Sequence, residues 1–160
     1  MWKLLAVTGA ALACAACLPK YEQPPLSDST ATIEFSRSAN LPIVSWGQEL
    51  LKLDGLQCGF EERQMVNYDE GSYLLNRNRT TPVRVVGGER AYFALRTVSV
   101  ANAQVASACQ NLVSFDVIPG HRYAMEHRNE GGRCRAHVVD ATTGAEPVGL
   151  RPELPPKDCG

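Results

Sequence analysis

Residues 121–140, "HRYAMEHRNEGGRCRAHVVD", have the pattern of two antiparallel strands joined by a tight loop at "NEGG". Glycines in such loops can adopt the positive φ angles that hairpin turns need. With Arg128 set opposite Arg133, one face is largely apolar and pairs Tyr123 with Val138, Met125 with Ala136 and His127 with Cys134. The other face pairs Ala124 with His137 and Glu126 with Arg135. The stretch therefore predicts a hairpin with one buried face and one wet face.

The rest of the chain after Thr30 alternates with a period of two and is interrupted by Gly, Pro, Asn and Asp. Segment 101–111, "ANAQVASACQN", is rich in alanine and is predicted as a loop or one short helix. The other candidate strands are "TATIEFS", "PIVSW", "ELLKL", "PVRVV", "RAYFALRTVSV", "LVSFDVI" and a short "PVGL". This pattern predicts an all-β fold.

Pro119 and Gly120 stand just before Tyr123 and predict a tight turn at the start of a strand. The arrangement resembles the tyrosine corner of immunoglobulin-like sandwiches, in which the tyrosine hydroxyl hydrogen-bonds back across the turn and the ring packs in the core. The resemblance implies a two-sheet sandwich of about seven strands, with immunoglobulin-like or transthyretin-like topology.

The N-terminus has the pattern of an export leader: Lys3, an apolar run from Leu4 to Ala13, and small residues before a cysteine. The apolar run is too short to span a bilayer. The following stretch, "LPKYEQPPLSDST", is polar, contains proline and has no hydrophobic period. We therefore predict a signal peptide at residues 1–16, a lipidated cysteine with a flexible tether at 17–29, and one β-sandwich domain at 30–160.

The sequences "CAAC", ending at Cys17, and "ALAC", ending at Cys14, resemble the lipobox of bacterial lipoproteins. In that family a cysteine after a small residue is acylated and becomes the mature N-terminus. An anchor at Cys17 leaves an even set of four cysteines, whereas an anchor at Cys14 leaves an odd thiol, so Cys17 is the preferred lipid attachment site. A cleaved signal peptide that releases a soluble periplasmic protein is the alternative. Because Leu18 replaces the aspartate associated with inner-membrane retention, the resemblance implies the outer membrane, facing the periplasm.

Export into an oxidising compartment predicts disulfides among the four remaining cysteines. Cys134 lies on the buried face of the predicted hairpin, and Cys109 precedes the neighbouring strand, so we expect a Cys109–Cys134 bond. Cys58 and Cys159 are then left to pair with each other. The two other connectivities of four cysteines remain open at this point.

Charge and motifs point away from several functions. The chain holds 16 Lys and Arg against 17 Asp and Glu, a net charge of −1, so charge provides no attraction for nucleic acid. His121, His127 and His137 fall in one hairpin, but His127 and His137 point to opposite faces, so we predict no metal site there. The chain has no nucleophile elbow or phosphate loop, and we predict no catalytic residue and no cofactor.

These features predict a non-enzymatic, membrane-anchored lipoprotein of the cell envelope that acts as a protein-binding or assembly module. Its partners would be the membrane, through the N-terminal lipid, and an envelope protein of unknown identity. Segment 76–81, "NRNRTT", is a candidate binding loop. Two alternatives stand: an inhibitor of a cell-wall hydrolase, soluble or anchored, and a hydrolase of an unrecognised type.

Overall fold

The computed structural model describes residues 19–36, 45–57, 61–68, 79–101, 104–130 and 133–154. Within these ranges the chain forms nine strands and no helix. The strands are β1 (Thr30–Ser36), β2 (Ser45–Leu53), β3 (Glu62–Tyr68), β4 (Thr80–Val86), β5 (Arg90–Ala101), β6 (Gln104–Asp116), β7 (Arg122–Glu130), β8 (Arg133–Asp140) and β9 (Arg151–Glu153).

The strands form two sheets that pack face to face. One sheet has the order β4-β1-β7-β8, and the other has the order β3-β2-β5-β6-β9. Strands β1 and β7 are parallel, and the other neighbours are antiparallel. Between the sheets, β4 contacts β3, β7 contacts β5, and β8 contacts β6. The predicted all-β, two-sheet sandwich is confirmed, with nine strands in the described ranges instead of about seven.

The core lies between the sheets and follows from the alternation of apolar residues along the strands. In β1, Ala31, Ile33 and Phe35 are buried, and the residues between them are partly exposed. At one end of the core, Phe115 packs against the rings of Phe93 and Tyr123, with ring centroids 5.3 and 4.8 Å apart. Members of this cluster come from both sheets, so it holds them together.

The turn before β7 has the geometry expected at Tyr123. Gly120 has a φ of 77°, which favours glycine, and the Tyr123 ring is fully buried. The Ile118 N–H donates a hydrogen bond to the Tyr123 hydroxyl at 2.8 Å. This hydrogen bond engages the oxygen of a buried phenol and fastens the turn to the core.

The hairpin of β7 and β8 is present, but its predicted register is wrong by two residues. Glu130 instead of Arg128 faces Arg133, so the turn is shorter than the predicted loop, and Cys134 pairs with Asn129. Glu126 lies opposite His137 instead of Arg135. A shift of two residues returns every side chain to its predicted face, because side chains alternate with a period of two. The buried and wet faces were therefore predicted correctly, although the pairs were not.

Three segments differ from the sequence prediction. Residues 104–111 extend β6 instead of forming a loop or helix, because long β5 provides a pairing partner for them. Strand β3, "ERQMVNY", was not predicted, since its polar residues hide the alternation that buries Val66 and Tyr68. The predicted strand "PVGL" is a turn, and the short strand β9 follows it. Tertiary pairing overrides local propensity in each case.

A second apolar cluster lies on the other face of the five-stranded sheet. It contains Leu51, Leu53, Ala94 and Leu112, with Leu56 and Tyr92 packed against them. The neighbours Leu50, Phe93 and Leu95 belong to the central core, as the alternation requires. This sheet is therefore apolar on both faces over its middle strands.

Candidate functional site

A disulfide between Cys109 and Cys134 joins β6 of one sheet to β8 of the other. The two Cα atoms are 6.2 Å apart and 25 residues apart in sequence. The sequence prediction named this pair. Because β6 and β8 face each other at one side of the sandwich, the bond closes that side covalently.

His127 lies beside the disulfide and is completely buried. Its Nε2 is 2.9 Å from Asn111 Oδ1, and its Nδ1 is 2.7 Å from Thr97 Oγ1. Because an amide oxygen only accepts, Nε2 carries the proton and donates to Asn111, and Nδ1 accepts from the Thr97 hydroxyl. Both ring nitrogens of a buried imidazole are thus satisfied.

Gln48 of β2 extends this buried polar network to a third strand of the five-stranded sheet. Its Nε2 donates to the His127 carbonyl oxygen at 2.7 Å and to Thr97 Oγ1 at 3.2 Å. Hydrogen bonds therefore run from Gln48 through Thr97 and His127 to Asn111, across the space between the sheets. We call Gln48, Thr97, Asn111 and His127 the buried polar network.

Burial lowers the pKa of His127 to about 4. At neutral pH the imidazole is therefore uncharged, which fits the donor and acceptor roles given by its hydrogen bonds. An uncharged, buried imidazole with both nitrogens engaged has no nitrogen left to take a proton from a substrate. The network connects the sheets and specifies how they pack.

The same region brings three metal-type ligands together. Ligand atoms of Cys109, His127 and Cys134 lie within 4.8 Å of one another. A cysteine binds a metal ion as a thiolate, and here the two sulfurs are bonded to each other. The oxidised form therefore does not offer them as ligands. The sequence prediction placed His127 opposite Cys134 and bonded Cys134 to Cys109, but it considered only the three histidines as metal ligands. His127 and His137 do lie on opposite faces, as predicted.

His121 and Asp140 form an ion-pair geometry at the opposite end of the β7–β8 hairpin. The His121 Nδ1 is 2.8 Å from Asp140 Oδ2, and Asp140 Oδ1 accepts the Thr142 N–H at 2.9 Å. Burial raises the pKa of Asp140, but the hydrogen bonds from His121 and Thr142 outweigh it and leave the pKa below its usual value. The carboxylate thus fastens the turn after β8 to the start of β7.

Residues 19–24 form a strap, our name for this segment, across the β3–β4 side of the sandwich. Gln64 of β3 donates its N–H to the Pro19 carbonyl and accepts the Tyr21 N–H, both at 2.9 Å. Further along, Gln23 Oε1 accepts the backbone N–H of Arg84 in β4 at 3.0 Å. The Arg84 Nε donates to the Pro24 carbonyl at 2.9 Å. The strap thus connects the outermost strands of the two sheets on this side.

The strap differs from the flexible tether that the sequence predicts for residues 17–29. Tyr21 packs against the central core, and Lys20 forms a parallel bridge with Gln64. Local composition does not reveal these contacts, because their partners are about 40 and 60 residues away in sequence.

A pocket of about 220 Å³ opens between the strap and the ends of β2 and β3. Its lining combines both charge signs with an aromatic ring and consists of Tyr21, Glu22, Lys52, Leu53, Asp54 and Arg63. Burial, with a smaller contribution from Glu89, raises the pKa of the Tyr21 phenol, so this group is neutral at physiological pH. The pocket is small, its lining mixes apolar and polar surface, and it shows no preference for one charge sign.

Several residues of the sequence predictions lie outside the described residues. These are both leader cysteines, Cys14 and Cys17; the predicted pair Cys58 and Cys159; and residues 76–78 of the candidate binding loop. Arg79, Thr80 and Thr81 of that segment are described, and the prediction of a loop is wrong for Thr80 and Thr81, which begin β4. The Arg79 carbonyl oxygen accepts a hydrogen bond from the Tyr68 hydroxyl at 3.2 Å, which fastens Arg79 to the end of β3.

No protein-family model matches the chain, and no curated protein matches its sequence. Within the part of the chain that the structure describes, no helix has the length and apolar character needed to cross a membrane.

Proposed function

We propose that the protein is a membrane-anchored lipoprotein of the bacterial cell envelope, attached through Cys17, and that it acts without catalysis as a protein-binding or assembly module at the outer membrane or in the periplasm. The observation that carries this proposal is the Cys109–Cys134 disulfide. Disulfides persist in exported proteins and are rare in the reducing cytosol. The bond therefore supports the export that the leader sequence predicts.

A basic surface on β7 and β8 supports a role in binding. On the outward face of this hairpin, Arg128 lies directly opposite Arg135, and His137 and Arg133 are exposed on the same face. The Arg128 guanidinium forms an ion pair with Glu126 on the same face at 2.7 Å, so this carboxylate neutralises it. Arg133 and Arg135 remain exposed and positively charged, so we propose an envelope protein with an acidic patch as the partner.

The anchor is tested by labelling cells with a fatty-acid analogue that can be detected after purification. We expect the wild type and Cys14→Ser to carry the label and Cys17→Ser to lose it. Label retained in Cys17→Ser but lost in Cys14→Ser would move the anchor to Cys14. An unlabelled wild type found in the soluble periplasmic fraction would contradict lipidation.

The partner is tested by cross-linking in intact cells followed by mass spectrometry. We expect a specific envelope protein to be captured by the wild type and not by the double variant Arg133→Glu, Arg135→Glu. Arg151→Glu is the matched control, because Arg151 is an exposed arginine on β9, away from this surface. Equal capture by both variants would contradict a role for the basic surface; a captured cell-wall hydrolase that the protein inhibits would identify an inhibitor.

The Cys58–Cys159 bond remains part of the proposal. Leu56, two residues before Cys58, packs at the second apolar cluster, and Glu153, six residues before Cys159, pairs with Leu112 of that cluster. The six residues from Glu153 to Cys159 can span about 20 Å when they are fully extended. The distance from β9 to β2 across the sheet is three strand spacings, or only about 14 Å. The C-terminal segment is therefore long enough for Cys159 to reach Cys58. Peptide mapping without reduction should find this pair; two free thiols at these positions would contradict it.

A further inference from the structure

The outermost strands of the two sheets differ in how their outer edges are closed. On β3, the strap bonds to both the N–H and the carbonyl of Gln64. On β4, Pro82 has no N–H, and the Arg84 N–H donates to Gln23. Strand β9 has only three residues, and one of them is Pro152. Such features keep an edge from pairing with another chain, but β8 has eight residues and no proline.

The turn after β8 shows which backbone groups of this strand point outward. The Asp140 N–H donates to the Ala145 carbonyl at 2.9 Å, so it points away from β7. Because backbone groups alternate between the two sides of a strand, the N–H and carbonyl groups of Cys134, Ala136 and Val138 also point outward. Among the described strands β8 pairs with β7 alone. The edge from Cys134 to Val138 is therefore open to a further strand.

The two sheets are unequal, and the smaller one ends at β8. Strand β8 lies over β6, whereas the five-stranded sheet continues to β9. Pro152 of β9 pairs with Val113 of the central core, so its side chain points toward the level of the other sheet. Pro152 is nevertheless exposed, and Leu154 after it is 72% exposed. A strand added beside β8 would lie over β9 and cover this apolar surface.

The side chains of β8 determine which strand fits its edge. Arg133, Arg135 and His137 are exposed on the outward face. A strand beside them places every second side chain on the same face, where carboxylates would neutralise the two arginines. Its other side chains would lie over β9, where apolar groups fit. A second copy of β8 would bring its own arginines to the outward face, and such like-charge contacts are unfavourable.

We infer that β8 accepts an extended strand of a partner protein, in which acidic residues alternate with apolar ones, as the fifth strand of the smaller sheet. This inference rests on the proposed binding role and specifies the form of the acidic partner. Backbone groups of the edge supply hydrogen bonds that are independent of the partner's sequence, and the arginines select for acidic residues.

The test uses the full-length protein and a synthetic peptide of the same length as β8, in which glutamate and valine alternate. Calorimetry measures binding, and amide exchange is followed at single residues. We expect the amides of Ala136 and Val138 to exchange at least about tenfold more slowly when the peptide is bound. The Gln64 amide at the opposite edge is the internal control and should not change.

Two matched peptides carry N-methyl groups, one on every valine and the other on every glutamate. An N-methyl group removes the N–H donor and keeps the side chain. The amides of the two residue types point to opposite sides of an extended strand, so only one set can face β8. We expect one methylated peptide to lose binding and the other to retain it. Binding by both peptides, or by neither, would overturn the inference.

The preference for acidic residues is tested in the double variant Arg133→Glu, Arg135→Glu. We expect it to bind the glutamate peptide at least about tenfold more weakly than the wild type, and to prefer a peptide with lysine in place of glutamate. Arg151→Glu is the control, because Arg151 neighbours Pro152 and its side chain lies on the other face of β9. Equal affinities in the wild type and the double variant would overturn the acidic strand.

Exchange in the free protein tests the other occupants of the edge. Slow exchange at Ala136 and Val138 without peptide would overturn the inference. Protection that is lost on dilution would identify a second copy of the chain as the occupant, and protection that persists would identify a segment of the same chain.

Ala136→Pro connects the peptide test to the cross-linking in cells. It removes an N–H that points away from β7, so the β7–β8 pairing keeps its hydrogen bonds. We expect at least severalfold less capture of the partner, with thermal unfolding as the check on folding. Capture equal to the wild type would refute the added strand and leave the binding role intact, whereas no specific capture by the wild type would refute the binding role itself. If the variant does not fold, the methylated peptides decide.

Discussion

The two sides of the sandwich are closed by different means. On the β6–β8 side, a covalent bond between Cys109 and Cys134 joins the sheets, and the buried polar network lies beside it. On the β3–β4 side, a noncovalent strap makes hydrogen bonds to Gln64 and Arg84. A disulfide constrains the unfolded chain as well as the native one, whereas we expect the noncovalent strap to open locally while the sandwich stays folded.

The difference indicates where the molecule is permanently closed and where it is adjustable. The polar groups of the disulfide side are buried and satisfied, so a substitution that removes one partner leaves another group buried without its hydrogen bond, which is costly. Several strap contacts are exposed to water, as at Gln23, and water can replace them at little cost. We therefore expect substitutions on the disulfide side to have the larger effects.

The largest effect is expected from removing the disulfide. The double variant Cys109→Ser, Cys134→Ser should lose about 3 kcal/mol of unfolding free energy, because a loop of this length no longer restricts the unfolded chain. Urea denaturation with and without a reductant measures the loss. A reductant should destabilise the wild type more than the double variant. A loss below about 1 kcal/mol would show that the polar network closes this side without the bond.

Lowering the pH is expected to reduce the free energy of unfolding by a slightly smaller amount, because of His127. Its pKa is about 4 in the folded protein against an ordinary 6.5, so the unfolded state binds more protons between these values. The neutral imidazole makes its full contribution to the free energy of unfolding above pH 6.5, and this contribution is lost as the pH falls toward 4. Between about pH 7.5 and about pH 5 the loss should be about 2 kcal/mol.

Denaturation at several pH values checks this expectation. His127→Gln should flatten the dependence of unfolding free energy on pH, whatever its effect on absolute stability. His137→Gln is the matched control, because His137 is exposed on the same hairpin. An unchanged slope in His127→Gln would contradict a buried, neutral His127.

On the strap side, Tyr21→Ala should cost about 1 to 2 kcal/mol, because a partly buried ring that packs against the core is lost. Hydrogen exchange gives the sharper measurement. In the wild type, the amides of Tyr21 and Gln64 should exchange at least about tenfold faster than that of Leu95 in the core. Tyr21→Ala should accelerate amide exchange at Gln64. The amide of Leu95 should continue to exchange only when the whole domain unfolds. Equal exchange rates at the three amides in the wild type would show that the strap opens only with the whole domain.

The smallest effect is expected at Gln23. Its side chain accepts one exposed hydrogen bond from the Arg84 backbone, so Gln23→Ala should cost at most about 0.5 kcal/mol in urea denaturation. A cost comparable to that of the disulfide variant would remove the contrast between the two sides.

Sequence patterns predicted the fold class and the buried face of the β7–β8 hairpin, because alternation along a strand is a local property. They also predicted the Cys109–Cys134 pair and the turn before Tyr123. They did not predict the partners of His127, since Gln48, Thr97 and Asn111 come from three distant strands. The hairpin register was also missed, because two turn lengths place the same residues on the same faces.

By itself, the sequence determined the all-β fold class and, in strands such as β1 and β7, the face that is buried. These depend on the polarity and spacing of residues that are close along the chain. Only the tertiary structure decided the order of the strands, the buried polar network and the path of the strap. Such features arise from pairings between distant segments, where many partners are compatible with local pattern and the packing of the whole sandwich selects one.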